Sequence, residues 1–388
     1  MAKALSLSLP VFKKKPQQSA AKKIKTALSI DIGNKMTKIV IGRQKGNTIG
    51  VEKAFAIRTP ENACYDGLIT NTEELGRVLK DFISKSNIRL KDVIFTIEST
   101  KIIKRELIIP EVSDDDMLGV VTYEMGQYLP IDTNSYIIQC KKLEKITSED
   151  GSSKMKVSVG ALPKNIIEDY MKMLSSVGLQ PHAMDIHSNA LEKLVQMDIA
   201  NNKSREVADK NVVFVDMGHT FFNIAVFENG KCTLNRVMEI GGQMIDKLIS
   251  DRLQIDSFKA ESVKWDLCSK INVLDIARKY GDLSKIDMNG RTDNEKILIE
   301  MISIINYWMN QIEKVFKYYT TRDRNNSIDQ IYIYGGCSLI NGIDDYFEKR
   351  FSVRSGRITS LGQYDYLQSG MAKEMPLYTN AIGALIRS

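Results

Sequence analysis

The chain has 388 residues, of which 43% are apolar and 26% charged, a composition typical of a globular protein with two or three domains. Its formal net charge is +6, but residues 1–26 hold seven lysines and no acidic residue. The rest of the chain therefore has a net charge of −1, which excludes a basic nucleic-acid-binding surface there. Five scattered cysteines without a Cys-x-x-Cys pair favour a reducing cytoplasm and argue against a structural zinc site.

Residues 1–25 are predicted to be a basic flexible tail, because they show no hydrophobic periodicity. The apolar part of this segment precedes its lysines and no small-residue cleavage site follows, which is the reverse of a secretory signal. Its lysines could give a weak contact with an anionic membrane surface. Elsewhere the sequence has no uncharged apolar run of about 18 residues, so no segment is expected to cross a membrane.

Two stretches of the chain share one pattern without a gap. They are residues 26–42, TALSIDIGNKMTKIVIG, and residues 211–227, NVVFVDMGHTFFNIAVF. Alignment places Asp31 on Asp216 and Gly33 on Gly218, so both apolar runs end in Asp-x-Gly, cross a polar turn and resume as a second apolar run. Each copy predicts a β-hairpin whose glycine frees the backbone for the turn. One such hairpin is ordinary, but two in register favour paired phosphate-binding turns, because successive turn N–H groups form an anion-binding concavity.

Two glycine pairs also stand at the ends of predicted strands. They are Gly241-Gly242, before a helical pattern, and Gly335-Gly336, which follows the strand QIYIY and precedes Cys337-Ser338. Glycine at such a position lets the backbone approach a phosphate or a flat ring closely.

These stretches resemble the two phosphate motifs and the adenosine motif of the actin-like ATPase superfamily, which includes actin, Hsp70, sugar kinases and the division protein FtsA. Within it, residues 93–132, VIFTIESTKIIKRELIIPEVSDDDMLGVVTYEMGQYLPID, are similar to the pilus-assembly family PilM. The resemblance implies an α/β, two-lobed actin-like ATPase fold with duplicated RNase H-like halves and an inserted FtsA/PilM-type subdomain, 1C. Its expected segments are the tail at 1–25, a first lobe at 26–205 with 1C at about 107–185, a second lobe at 206–370, and a C-terminal helix at 371–388 that returns to the first lobe.

The resemblance also implies an ATP site with Mg²⁺ in the cleft between the lobes. Asp31 and Asp216 are expected to hold the metal through water, because Mg²⁺ prefers octahedral oxygen and retains several waters. The other expected nucleotide-binding residues are Gly33, Asn34, Lys35, Met36 and Lys38 in the first hairpin, Gly218, His219 and Thr220 in the second, and Gly241, Gly242, Glu261, Lys264, Gly335, Gly336, Cys337 and Ser338.

Some of these assignments carry over only in part. The family usually has small hydroxyl residues where this chain has Asn34 and Lys35, so the backbone contact is expected and the side-chain contact is not. Glu261 and Lys264 resemble an Ala-Glu-x-x-Lys motif that reaches the ribose, but an ion-paired surface helix is an alternative interpretation.

The chemistry of turnover is not assigned to any residue. The sequence lacks the Gly-x-x-x-x-Gly-Lys-Ser/Thr motif of P-loop enzymes. Hydrolysis needs a group that orients the attacking water, and neither Glu98 nor Glu124 lies in a recognisable motif, so slow or absent hydrolysis is expected. His182 and His187 lie near Asp185, but a metal or catalytic site is disfavoured because no third ligand accompanies them.

The resemblance implies that the partner is a PilN-like single-span inner-membrane protein. Its N-terminal cytosolic peptide is expected to lie in a groove bordered by Arg105 and Tyr128, at the inner face of the cell membrane. Other pilus platform and motor proteins, and a homo-oligomer, remain open as partners, and twitching motility is the implied process. Two rival functions are an FtsA-like filament-forming division scaffold and a sugar or acetate-type kinase, which would need an acceptor pocket with its own base.

Overall fold

A computed structural model describes residues 7–8, 26–129, 132–147, 151, 153–200, 205–281, 283–324, 326–359, 363–366 and 371–387. The chain divides into two compact units: unit 1 is Met1–Lys193 with Asn380–Ser388, and unit 2 is Leu194–Thr379. The first boundary falls inside a helix, ahead of the polar linker where the sequence placed the end of the first lobe. Apart from Leu7–Ser8, the predicted tail lies outside the described residues.

The strands are β1 (Leu7–Ser8), β2 (Ala27–Ile32), β3 (Met36–Lys45), β4 (Thr48–Arg58), β5 (Cys64–Tyr65), β6 (Leu68–Ile69), β7 (Asp92–Ile97), β8 (Ile103–Pro110), β9 (Tyr136–Thr147), β10 (Ser153–Pro163), β11 (Gln180–Ile186), β12 (Asn211–Met217), β13 (Phe222–Glu228), β14 (Lys231–Met238), β15 (Gln330–Tyr334), β16 (Ser355–Arg357) and β17 (Gln363–Tyr366). The helices are α1 (Thr72–Lys85), α2 (Asp114–Tyr128), α3 (Lys164–Ser176), α4 (His187–Ala200), α5 (Arg205–Ala208), α6 (Gln243–Leu253), α7 (Ser257–Lys270), α8 (Val273–Tyr280), α9 (Asp293–Arg322), α10 (Ile343–Phe351) and α11 (Met371–Ala384). No helix in the described ranges is long and apolar enough to cross a membrane.

Unit 1 is built on a sheet in which β1, β11, β7, β2, β3 and β4 are neighbours in that order. Every residue of β2 is buried, which explains its apolar run. β2 pairs antiparallel with β3 and parallel with β7, and β7 pairs parallel with β11. The parallel strands β2, β7 and β11 therefore end at the same edge of the sheet. Helices α1 and α3 bury apolar stripes against this sheet, and Tyr170 of α3 stacks on Phe95 of β7 with ring centroids 5.1 Å apart.

A smaller antiparallel sheet, ordered β8-β10-β9, is inserted between β7 and α3. Helix α2 begins after Ser113, whose side chain accepts a bond from the Asp116 N–H as an N-cap. Val121 and Met125 of α2 are buried against the sheet. The sequence grouped α3 and β11 with this insert, but both pack in the core of the main sheet, because their apolar residues face β7 rather than β10.

Unit 2 repeats the sheet order of unit 1 as β14-β13-β12-β15-β16. β12 and β13 are antiparallel, and β12 is parallel to β15. The long helix α9 starts at a capping box formed by Thr292 and Glu295, and its Trp308 packs edge-on against Phe222 of β13. The last helix, α11, begins at Met371, where the predicted C-terminal helical segment begins, and contains Pro376.

Candidate functional site

The two predicted hairpins have the same turn. The Gly33 N–H donates to the Met36 carbonyl oxygen over 3.1 Å, and the Gly218 N–H donates to the Phe221 carbonyl oxygen over 3.2 Å. A Cβ at Gly218 would lie 2.5 Å from the Phe221 oxygen, and one at Gly33 would lie 3.0 Å from the Met36 oxygen. Glycine is therefore needed in both turns because the chain folds back over its Cα.

The side chains at the mouths of the hairpins differ in charge. Asp31 faces Lys38 across the strand pair, whereas Asp216 faces Asn223 at the matching position. The first pair is ionic, with Lys38 Nζ 3.3 Å from Asp31 Oδ2. Unit 1 thus has a cationic side chain where unit 2 has an amide.

His187 completes the first hairpin's charge cluster, with its Nε2 3.0 Å from Asp31 Oδ1. Burial alone would raise the pKa of the Asp31 carboxyl, but Lys38 and His187 hold it well below its usual range. Both oxygens of Asp31 are thereby bonded, and the residue is only 2% exposed. A metal-bound water at Asp31 would have to compete with these two partners at a carboxylate that is almost completely buried, so Asp31 fits the expected metal role poorly.

The sequence missed His187 although a topological signal was present. His187 follows β11 as Glu98 follows β7, and both strands run parallel with β2 toward the edge that carries Asp31. Polar residues at the ends of neighbouring parallel strands meet at one edge. Glu124, the other residue that the sequence analysis considered for orienting the attacking water, lies on α2 in the inserted subdomain.

Thr59 braces the first turn and was also missed. Its hydroxyl donates to the Gly33 carbonyl over 2.7 Å, and its N–H donates to the Lys35 carbonyl over 3.0 Å. The Asn34 side chain contacts the Cys64 thiol. The Asn34 N–H has no partner among the described residues, so it is a donor left for an anion.

The second turn lies against the glycine pair that ends β15. A Cβ on residue 335 would lie only 2.3 Å from Asp216 Oδ1. Gly335 also has a φ of +83°, in the region that favours glycine. The next glycine, Gly336, has nothing within 4 Å of the position a Cβ would take. Gly335 therefore admits the carboxylate, and Gly336 leaves space for a flat ring. Ser338 is buried and donates to the Gly335 carbonyl, which gives it a structural role in this turn.

Three polar side chains connect the second turn to helix α7. His219 Nε2 lies 3.2 Å from Asp246 Oδ2, and Lys264 Nζ lies 2.6 Å from Asp246 Oδ1. The Lys264 side chain is only 3% exposed, so the alternative of a surface ion pair is wrong for this residue. Glu261, one helical turn earlier on α7, is partly exposed.

The glycine pair before α6 also touches the second turn. The Gly242 N–H donates to the Gly218 carbonyl over 3.2 Å, and a Cβ at Gly241 would lie 2.3 Å from the His219 oxygen. Cys337 is buried next to Gly242 and its thiol donates to the Gly218 carbonyl over 3.3 Å. The predicted residues of unit 2 thus form one contiguous cluster.

The second turn leaves main-chain donors available. The N–H groups of His219 and Thr220 have no hydrogen-bond partner in the described part of the chain. The Thr220 hydroxyl, by contrast, lies 3.2 Å from His219 Nδ1, and the Thr220 residue as a whole is only 4% exposed. An anion at this turn would therefore meet backbone donors rather than the threonine hydroxyl.

The predicted peptide-binding residues lie in the inserted subdomain. Arg105 is exposed on β8, an edge strand, and Tyr128 is 68% exposed at the end of α2. Ile103, Leu107 and Ile109 pack in the core beneath α2, so Arg105 shares their face by strand alternation. Most of the Tyr128 side chain is therefore exposed rather than packed inside the inserted subdomain.

Comparison with known proteins identifies the class of this chain. A solved structure described as a "PilM-PilN type IV pilus biogenesis complex" matches with a TM-score of 0.74 and 18% identity, over 94% of this chain and 98% of that chain. The ethanolamine utilization protein EutJ from Carboxydothermus hydrogenoformans matches with a TM-score of 0.52 and 12% identity, over 94% and 90%. The fold is the two-lobed actin-like ATPase fold, as predicted.

The family follows from the sequence models. The model described as "Type IV pilus assembly protein PilM" matches residues 29–269, more than half of the chain. The chain therefore belongs to the PilM family of type IV pilus assembly proteins. The model of the cell division protein FtsA matches residues 213–383. No curated protein matches the chain.

Proposed function

We propose that this chain is a cytoplasmic, ATP-binding component of type IV pilus biogenesis that recognises the N-terminal cytosolic peptide of a PilN-like inner-membrane protein. The observation that carries the proposal is the PilM match, which spans the first hairpin, the inserted subdomain and the second hairpin together. The solved PilM-PilN complex, to which this chain is similar, supports the choice of partner. Placement at the inner face of the membrane follows from that partner.

ATP binding is supported by the donors and spaces of the turns. In unit 2, phosphate suits the N–H groups of His219 and Thr220, which have no partner among the described residues, and an adenine ring suits the open face of Gly336. In unit 1, the Asn34 N–H is a donor of the same kind. Asp216 is the carboxylate proposed to meet a water-bound Mg²⁺, because it is partly exposed whereas Asp31 is only 2% exposed. The metal would offset phosphate charge when bound.

Titration calorimetry of the full chain tests ATP binding directly. We expect saturable binding of ATP and ADP in the presence of Mg²⁺, and weaker binding of GTP if the ring rests on the glycine pair. No heat of binding with either adenine nucleotide would refute the nucleotide assignment.

Peptide binding is supported by an exposed strand edge beside exposed apolar side chains. Within the described part of the chain β8 has a neighbouring strand on only one side, and its Ile108 is 61% exposed on the face opposite Arg105. On α2, Leu118 and Tyr128 are 47% and 68% exposed. An extended peptide can add to such an edge through main-chain hydrogen bonds while its apolar side chains cover such residues.

The peptide proposal is tested with a synthetic PilN-type N-terminal peptide. We expect micromolar or tighter binding, and a loss in the double variant Arg105→Glu, Tyr128→Ala. A matched control is Arg278→Glu with Tyr318→Ala, because both residues are exposed in unit 2. Equal loss in both double variants, or no binding by the wild type with or without ATP, would contradict the proposal.

An FtsA-like scaffold is the second candidate, favoured by the FtsA match over residues 213–383. It predicts ATP-dependent polymers that pellet, whereas the pilus proposal predicts a chain that stays in the supernatant alone and follows its membrane partner. Hydrolysis is proposed to be slow or absent.

A further inference from the structure

The ion pair between Lys264 and Asp246 lies where a ribose contact was expected. Lys264 comes from α7, Asp246 comes from the first turn of α6, and His219 belongs to the second phosphate turn. Asp246 Oδ1 is ion-paired with Lys264 Nζ at 2.6 Å, and Oδ2 lies 3.2 Å from His219 Nε2, so each oxygen of Asp246 has a partner. Lys264 Nζ is thereby directed toward α6 and the turn.

The same turn is tied to α6 by its backbone. The Gln243 N–H donates to the His219 carbonyl over 2.8 Å, next to the bond from Gly242 to Gly218. Gly241 admits this contact because any Cβ there would overlap the His219 carbonyl. The backbone bonds fix where the turn lies, and the His219 ring is the part of it that Asp246 can orient.

We propose that Asp246 and Lys264 are positioning residues that hold the phosphate-binding turn 218–220 through His219, and that Lys264 does not contact the ribose. This inference rests on the proposed ATP binding. It assigns to Asp246, which the sequence did not single out, the central place in the unit 2 site.

The protonation pattern supports a directed chain of bonds. Burial would raise the pKa of Asp246, but the bonds from His219 and Lys264 lower it, so the carboxylate is ionised. An ionised carboxylate only accepts, so His219 Nε2 must donate to it. His219 Nδ1 lies 3.2 Å from the Thr220 hydroxyl, so the other side of the ring engages this side chain. The threonine side chain is thus held back, and the two free N–H groups remain for phosphate.

Removal of the Lys264 charge tests the series of contacts that runs from Lys264 through Asp246 to His219. In Lys264→Met, Asp246 remains buried with one partner, so the turn loses its fixed orientation and phosphate binding weakens. We expect ATP affinity to fall about tenfold, a loss of order 1.4 kcal/mol by the standard conversion. Lys264→Arg retains a cation for Asp246 and is expected to recover most of the affinity.

A thermodynamic cycle with a modified ligand separates positioning from ribose contact. ATP and 2′,3′-dideoxy-ATP are titrated into the wild type and Lys264→Met by calorimetry, both with Mg²⁺. If Lys264 positions the turn, the variant loses the same factor for both ligands, because the ribose hydroxyls play no part. If Lys264 binds the ribose, the loss seen with ATP falls below about twofold with the dideoxy ligand, and our inference is wrong.

Two further variants keep the test decisive. Asp266→Asn removes an exposed ion pair with Lys270 on the same helix and should leave the affinity unchanged. His219→Gln changes the partly exposed end of the chain of bonds and is used if Lys264→Met does not fold. His219→Gln should lower the affinities for ATP and for 2′,3′-dideoxy-ATP by the same factor, and an unchanged affinity would overturn the inference. Absence of ATP binding by the wild type would instead refute the proposed function.

Discussion

The first and second hairpins share a backbone but not an electrostatic role. Both turns close with a glycine N–H bonded to the carbonyl three residues later, at 3.1 Å and 3.2 Å. Asp31 is clamped by Lys38 and His187, whereas Asp216 faces Asn223 and lies against Gly335. A repeated sequence pattern therefore specifies a repeated turn, and the partners brought by other elements decide what each carboxylate can do.

This difference assigns separate tasks to the two turns. Unit 1 has a buried carboxylate that is paired with Lys38 and His187, so its mouth presents an ion pair rather than a free acid. Unit 2 has a more exposed carboxylate, Asp216, and a turn braced by the contacts from Lys264 through Asp246 to His219. We infer that, under the proposed ATP binding, Asp216 meets the hydrated metal and the N–H groups of His219 and Thr220 meet phosphate.

Asp31→Asn should have the largest effect on stability. It removes the charge that holds Lys38 and His187, and breaking a buried ionic cluster costs about 3 kcal/mol. Because the folded pKa of Asp31 lies below its unfolded value, its contribution is present above about pH 4 and is lost as the pH falls below that value. Urea unfolding at pH 6 and pH 3 measures the difference from the wild type, which should shrink at pH 3.

Asp216→Asn is the matched control for that experiment. Asp216 is less buried than Asp31, so the same change should lower the free energy of unfolding by less than about 1 kcal/mol. Equal losses in the two variants would show that the hairpins are electrostatically alike and would remove the contrast drawn above.

Alanine at the turn glycines separates their steric constraints. A Cβ at Gly218 would meet the Phe221 oxygen at 2.5 Å, a rigid backbone contact, and should cost about 2 kcal/mol. At Gly33 the contact with the Met36 oxygen is 3.0 Å, and the second neighbour is the flexible end of Lys38, so about 1 kcal/mol or less is expected. Thermal unfolding of both variants gives the order, and a larger loss for Gly33→Ala would contradict it.

Local signals were sufficient to predict most of the fold. Apolar runs interrupted by Asp-x-Gly predict both hairpins. The apolar stripe of α9 and the N-cap Ser113 of α2 are signals of the same local kind, because each depends on residues close together in the sequence. Sequence order alone could not show that α3 leaves the insert, because its apolar stripe would suit either sheet.

Site residues were predictable where the backbone conformation requires a glycine or where a strand ends. Lys264 was predicted from the family resemblance, but the orientation of its side chain depends on Asp246, which belongs to no motif that the sequence analysis identified. His187 was considered with His182 and Asp185 and disfavoured because no third ligand accompanied them, whereas its partner in the structure, Asp31, is far away in sequence. Side-chain pairs of this kind join residues that are far apart in sequence, so they depend on the topology of the chain. That topology cannot be deduced from a single sequence.

Asp216→Ala should weaken Mg²⁺-dependent ATP binding about tenfold with little loss of stability, since a carboxylate that meets a hydrated metal contributes little to packing. Calorimetric titration with Mg²⁺ and with excess EDTA measures the metal-dependent part of the affinity. The variant should bind ATP with nearly equal affinity in the two buffers. An undiminished effect of Mg²⁺ in Asp216→Ala would remove this residue from the metal site.

Lys38→Asn has the smallest expected effect and makes the first hairpin resemble the second, which has Asn223 at this position. The Lys38 side chain is 21% exposed and its bond to Asp31 is 3.3 Å, so water and salt screen the pair and its loss should cost about 0.5–1 kcal/mol. His187 still holds the other oxygen of Asp31, which keeps the carboxylate from being left unpaired. Urea unfolding at low and high NaCl concentration should show the wild-type advantage shrinking with salt. A loss as large as that of Asp31→Asn would mean that Lys38 alone, without His187, neutralises the first hairpin.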